Sequence, residues 1–239
     1  MVAKVNMVAK HPRGLETELK ILKQFALNKE VYQYNLNKKV GVSYRTVLRT
    51  LHSLEKSGQL KIVRKEESEK QGKERNVWGI TLQGLLNLLS LDTPPFETRK
   101  KIGLIAEVHQ DKLLVFKKWK FFEKENLTPT IIKTLQGTLL SLVQAQLRVA
   151  TFSMKIESTK KELQEVVDSM TLGCYALRAL KWFKREGKRL FEEYLKILKA
   201  CKKDEELRNF VVSELNFFKR IAEESLTSIE QADKLFASL

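Results

Sequence analysis

The sequence predicts a mainly α protein in two parts: a small N-terminal domain of short helices closed by a β-hairpin, then an all-α domain, a helical bundle or coiled-coil-like. Three observations carry this reading. Residues 15–58 repeat apolar side chains at spacings of three and four, the period of a helix. Two β-rich runs, Leu60 to Val63 and Asn76 to Ile80, flank a charged segment. Beyond Pro94-Pro95, residues 96–239 hold one proline, Pro129, and show long helical stretches without strand-and-turn alternation.

Taken in order, residues 1–14 are a short, mildly basic arm ending in the helix breakers Pro12 and Gly14. Leu15 to Leu27 is a first helix, with Leu15, Leu19, Leu22, Phe25 and Ala26 on one face and Glu16 and Glu18 in the first turn, where the helix dipole favours acids. Val31 to Val40 reads as a second, shorter helix. In the turn Val40-Gly41-Val42, Gly41 is free to take positive φ and Val42 to face the core.

Residues 42–58 are the most informative segment. Ser43 is a good N-cap and Gly58 suits a left-handed helix end. Val47, Leu51 and Leu54 form an apolar edge; at about 100° per residue, Arg45, Arg49, His52 and Lys56 fall diametrically opposite. Tyr44, Thr46 and Ser53 flank them. Such a helix anchors itself by aliphatic side chains and leaves cations for phosphates and base edges. A solvated surface helix has the same pattern, so the helix alone leaves both readings open.

After Gly58 the two β-rich runs enclose residues 64–75, which have nothing to bury and project as the tip of a hairpin. Thr81 then N-caps a fourth helix to about Leu91.

Leu36, Val40-Gly41-Val42-Ser43, Val47, Leu51, Leu54-Glu55-Lys56-Ser57-Gly58, Leu60, a hairpin ending in Trp78-Gly79-Ile80-Thr81 and a glycine-containing helix together make residues 15–91 resemble a winged helix-turn-helix domain of archaeal and bacterial transcriptional regulators. The resemblance implies a DNA-binding domain over 15–92. It puts Ser43, Tyr44, Arg45, Thr46 and Arg49 in or beside the major groove, and Lys65, Lys70, Lys73 and Arg75 near the flanking backbone or minor groove. Lys38, Lys39 and Lys56, with His52, would add contacts to the phosphate backbone. One departure stands out: Glu66, Glu67, Glu69 and Glu74 share the hairpin with those bases and repel phosphate.

Charge agrees with a polyanionic partner. The 239 residues carry 44 Lys and Arg against 29 Asp and Glu, net +15. Residues 1–92 hold 17 bases and 9 acids, so the net positive charge per residue is higher there than in the remainder.

Residues 93–96 form a proline-containing linker and 97–239 the helical domain. One helix is expected from Glu97 to Lys124, and a break at Asn126-Leu127-Thr128-Pro129 with Thr128 as N-cap and Pro129 at N1. A helix to about Lys155 follows, then a helical region from Ser158 to Ala200 interrupted near Gly173 and Gly187, and a last helix from Asp204 to Ala237. Apolar faces such as Ile105, Val108, Val115, Trp119 and Phe122, or Phe210, Val211, Leu215, Phe218 and Ile221, must be covered by neighbouring helices or by a second copy, which makes a homodimer the expected assembly. A basic run, Arg178, Lys181, Arg185 and Lys188, lies among Glu186, Glu192 and Glu193 and reads as a solvated face.

Catalysis finds no footing. The chain has no phosphate-cradling glycine motif, no nucleophile elbow and no metal-ligand spacing, so neither enzyme activity nor cofactor nor metal is expected. Cys174 and Cys201 read as packing residues in a reducing compartment, and His109, beside Gln110 and Asp111, as a surface residue. With no uncharged apolar stretch of about 18 residues, no membrane association is expected and the protein is placed in the cytoplasm, on the nucleoid. A small-molecule effector site has no residue the sequence can name. The expectation is a dimeric, sequence-specific regulator on double-stranded DNA. The alternatives are a winged-helix adaptor or scaffold that binds protein, and a replication or segregation factor that coats DNA without choosing sequence.

Overall fold

The computed structural model describes residues 12–67, 74–91, 95–139, 163–174 and 188–237. Residues 1–11 of the expected arm, the hairpin tip with Lys70 and Lys73, the expected helix to Lys155 beyond residue 139, the start of the helical region at Ser158, and the basic residues Arg178, Lys181 and Arg185 lie outside them. The protein is mainly helical, with one small three-stranded antiparallel sheet. Its chain divides into two compact units, residues 1–112 and 113–239.

In the first unit, α1 (Pro12–Ala26), β1 (Val31–Tyr32), α2 (Gln33–Val40), α3 (Tyr44–Lys56), β2 (Leu60–Glu67), β3 (Glu74–Ile80), α4 (Leu82–Leu91) and α5 (Pro95–Val108) follow in order. The helical period places Ile21, Leu22, Phe25, Leu36, Val47, Leu51 and Leu54 in one core with Leu60, Trp78 and Leu85, all 2% exposed or less. Burying each such side chain contributes about 1.5–3 kcal/mol. Leu15, expected on that face, stands 41% exposed at the free end of α1.

Three expected elements are corrected. The first helix begins at Pro12 rather than Leu15, so Pro12 and Gly14 open it instead of ending the arm, and Glu16 and Glu18 lie beyond its first turn. The second helix starts only at Gln33, because Val31 and Tyr32 pair as a strand with Trp78 and Val77. This puts β3 at the centre of the sheet, in the order β1-β3-β2. The hairpin strands are also longer than expected, running to Glu67 and from Glu74. A register shift between Ile62 and Arg64 leaves Val63 opposite no single partner, and its methyl group fills the space beside Gly79, 2.7 Å from where a Cβ would sit. Thr81 caps α4 as expected, its Oγ1 accepting from the Gly84 amide at 3.1 Å.

The helix expected over 97–124 is in fact three. α5 ends at Val108, and α6 (Leu114–Lys117) and α7 (Trp119–Lys124) belong to the second unit. His109 is 2% exposed rather than on the surface, because its Nε2 reaches the carbonyl oxygens of Phe25 and Ala26 at 3.2 and 3.1 Å. It donates to them, satisfying acceptors that the end of α1 leaves without helical partners. Burial, seconded by Lys112, holds its pKa below the ordinary histidine range.

The second unit continues with α8 (128–139), α9 (Leu163–Thr171), α10 (Lys188–Cys201) and α11 (Glu205–Ala237). Asn126 ends α7 in the left-handed conformation, φ 56°, while the Leu127 amide bonds back to the Phe122 carbonyl. That shifts the start of α8 by one residue, so Thr128 is its first helical residue rather than its cap. Phe116, Phe122, Ile131, Leu135, Val167, Leu172, Ile197 and Leu207 are fully buried. Cys174 and Cys201 are also buried and not disulfide-bonded. Burial and the neighbouring Asp204 push the Cys201 thiol up to about 12, which leaves it unreactive.

A buried carboxylate explains the break between α5 and α6. Leu113 is extended, φ −138° and ψ 142°, and contributes no side-chain cap. Instead Asp168 on α9 accepts from the amides of Leu114 at 2.8 Å and Val115 at 2.9 Å. At the head of α11, Asp204 does the same locally, accepting from the Leu207 amide at 3.0 Å and from Lys118 Nζ at 2.8 Å.

Candidate nucleic-acid interface

The candidate surface is built on α3. Ser43 sits before it in extended conformation, and its Oγ accepts from the Thr46 amide at 3.2 Å and shares a hydrogen with Thr46 Oγ1 at 2.9 Å. Gly41, at φ 73°, turns the chain from α2 into this cap, and Gly58, at φ 72°, releases it toward β2. Val47, Leu51 and Leu54 are completely buried, which fixes the rotation of the helix about its axis. Arg45, Arg49, His52 and Lys56 are thereby exposed on the opposite side. Among the described residues, neither Arg45, Arg49 nor Lys56 has a carboxylate partner.

His52 differs from its neighbours. Its Nδ1 lies 3.4 Å from a carboxylate oxygen of Glu55, and its ring meets Trp78 edge-on at 6.0 Å between centroids. It is therefore held against the sheet as well as exposed. Tyr44 is 42% exposed, and its hydroxyl oxygen accepts from Gln33 Nε2 at 3.2 Å, which leaves its own O–H to donate outward. Lys38 and Lys39 are exposed in the last turn of α2. Sequence reasoning missed Gln33, which ties the start of α2 to the start of α3, and Tyr34, 59% exposed and four residues before Lys38 on the same face of α2. An aromatic followed four residues later by a lysine was the legible signal.

On the hairpin, Lys65 and Arg75 are exposed on the paired strands β2 and β3. Glu66 is not the free anion the composition suggests. Arg64 Nε donates to it at 2.6 Å, the Tyr32 hydroxyl at 2.9 Å, and Arg64 also grips Glu30. These partners hold the Glu66 carboxyl below the usual carboxylate range. One of the five hairpin bases is thus spent on two acids, and the repulsion expected from Glu66 is cancelled close to its source.

No group of three metal-ligating side chains occurs among the described residues, and no helix among them is long and apolar enough to cross a membrane. The surface offers cations and hydrogen-bond donors on a rigid support, the chemistry that suits a polyanion. No family model matches this chain, and no curated protein is significantly similar to it.

Proposed function

We propose that the protein is a sequence-specific, double-stranded-DNA-binding transcriptional regulator of winged helix-turn-helix type, acting as a dimer at the nucleoid. The observation that carries this reading is the pairing, on one capped helix, of three fully buried aliphatic side chains with two exposed arginines lacking carboxylate partners among the described residues. Arginine left without a carboxylate keeps its planar donor fork for phosphate or for guanine edges. The element order α1-β1-α2-α3-β2-β3, with the hairpin beside α3, supports the wing assignment.

In this reading α3 enters the major groove. Tyr44, Arg45, Thr46 and Arg49 read base edges, each good bidentate pair contributing about 1–3 kcal/mol of discrimination. Lys38, Lys39 and Lys56, with Lys65 and Arg75 on the hairpin, neutralise phosphates and make affinity fall with salt.

Selecting bound fragments from genomic DNA and footprinting them is the direct test. A short palindromic site preferred by about 10³-fold or more is expected. Steep salt dependence without preference would favour a coating protein, and absence of binding an adaptor. Replacing Arg49 with alanine should weaken binding to the selected site by about 10-fold or more while changing non-specific binding little, as measured by fluorescence anisotropy at fixed salt. Equal losses on both DNAs would refute base readout by this side chain.

A further inference from the structure

The second unit carries a seam that its own core does not use. In α11, Leu207 and Glu214 are buried, and Phe210, Val211, Phe217, Phe218 and Ile221 are half-buried; these residues share the face turned toward the unit. Among the described residues, the large apolar side chains left exposed on this helix are Val212 at 49%, Leu215 at 41%, Leu226 at 58%, Ile229 at 66% and Phe236 at 79%. All five fall on one strict seven-residue register, Val212 and Leu226 at a, Leu215, Ile229 and Phe236 at d. The register is completed by Lys219 and Asp233 at a and Ala222 at d. A 3.5-residue repeat sustained from 212 to 236 is the pattern of a helix that winds around another helix, not of one that lies on a globular core.

We infer that the α11 helices of two copies of this chain pair antiparallel along this seam. Charge within the seam chooses both the occupant and its direction. In a parallel pair, Lys219 would face Lys219 and Asp233 would face Asp233, two buried like-charge layers. In the antiparallel register that sets Leu226 against Ile229 of the second copy, Lys219 lies against Phe236 and Ala222 against Asp233. Every layer from residue 219 to residue 236 is then apolar or mixed, and Val212 and Leu215 lie outside the paired stretch. Lys219 of each copy falls within one helical turn of Asp233 of the other, and two interhelical ion pairs close the ends. Among the described residues, the carboxylate that Lys219 reaches is that of Glu223, at 3.9 Å, a distance at which an exposed pair holds it weakly. From residue 219 to 236 the seam is about 25 Å long.

This deepens the dimer of the reading above, and because its test uses no nucleic acid, failure here leaves the DNA-binding result to be judged separately. The full chain should sediment as a concentration-dependent dimer. Changing Ile229→Asp should raise the dimer dissociation constant by roughly 100-fold. The helical circular dichroism of the units should persist, since the side chain is two-thirds exposed. Lys219→Asp alone should dissociate the dimer, and Lys219→Asp with Asp233→Lys should restore it. Direction is read by crosslinking: a mixture of Lys219→Cys and Phe236→Cys chains forms a mixed disulfide, and Lys219→Cys alone forms none. The native Cys174 and Cys201 are buried and do not compete. A chain that stays monomeric at about 100 µM, an Ile229→Asp variant that dimerises as before, or crosslinking by Lys219→Cys alone would overturn the inference.

Discussion

Replacing Gly84 with alanine is expected to destabilise the first unit by about 2–3 kcal/mol and lower its melting temperature by roughly 10 °C or more, followed by circular dichroism. Propensity points the other way, since alanine in a helix is favoured over glycine by up to about 1 kcal/mol. Contact decides the sign. A Cβ at residue 84 would sit 2.1 Å from the Gln59 carbonyl oxygen and 2.9 Å from its carbon. Those are backbone atoms, and the oxygen already accepts from the Thr81 amide at 3.0 Å and the Thr81 hydroxyl at 3.1 Å, so it has no room to retreat. α4 would have to move off the entrance to β2, exposing Leu85 and Leu60. The same substitution at Gly137, exposed on α8 with nothing within 4 Å, supplies the control and should raise stability by up to about 1 kcal/mol.

Removing the Asp168 carboxylate should be comparably costly to the second unit. In Asp168→Ala the amides of Leu114 and Val115 lose their acceptor, at about 1–3 kcal/mol for each buried orphan donor. The pH dependence makes the assignment specific. Burial pushes the Asp168 carboxyl up to about 7 despite those two donors. Its unfolded value is near 3.9. Between about pH 4 and 7 the folded chain therefore holds a proton that the unfolded chain has released, so this group's contribution is complete below pH 4 and is lost as pH rises through 7. The integrated effect is up to roughly 4 kcal/mol. Denaturant unfolding from pH 5 to 8 should show stability falling with pH in the wild type and a flatter profile in Asp168→Asn, which keeps one acceptor without the ionisation. An unchanged slope in the variant would remove Asp168 as its source.

The α2-α3 region was legible because its determinants are local. The period of Val47, Leu51 and Leu54, the cap at Ser43 and the glycines at 41 and 58 all act within a few residues, and each is where the periodicity put it. What was not legible depends on distant partners. Val31 and Tyr32 continue the apolar pattern into α2, and only pairing with Trp78 and Val77 makes them a strand. Likewise Ile105, Val108, Val115, Trp119 and Phe122 keep a helical spacing straight through a break whose capping acceptor lies 54 residues away on Asp168. His109 escaped for the same reason, since its acceptors lie 83 and 84 residues earlier. The cationic side chains opposite the core of α3 followed from rotation alone, whereas the neutralising of Glu66 by Arg64 and Tyr32 required the sheet order.

The imidazole that clasps the end of α1 has a practical corollary for dissecting the chain. The proline pair at 94–95 invites a cut there, yet a fragment ending at residue 92 would forfeit the clasp and leave the Phe25 and Ala26 carbonyls without that donor. A fragment carried on to Lys112 retains its own latch, and so is the natural minimal piece for titrations against nucleic acid.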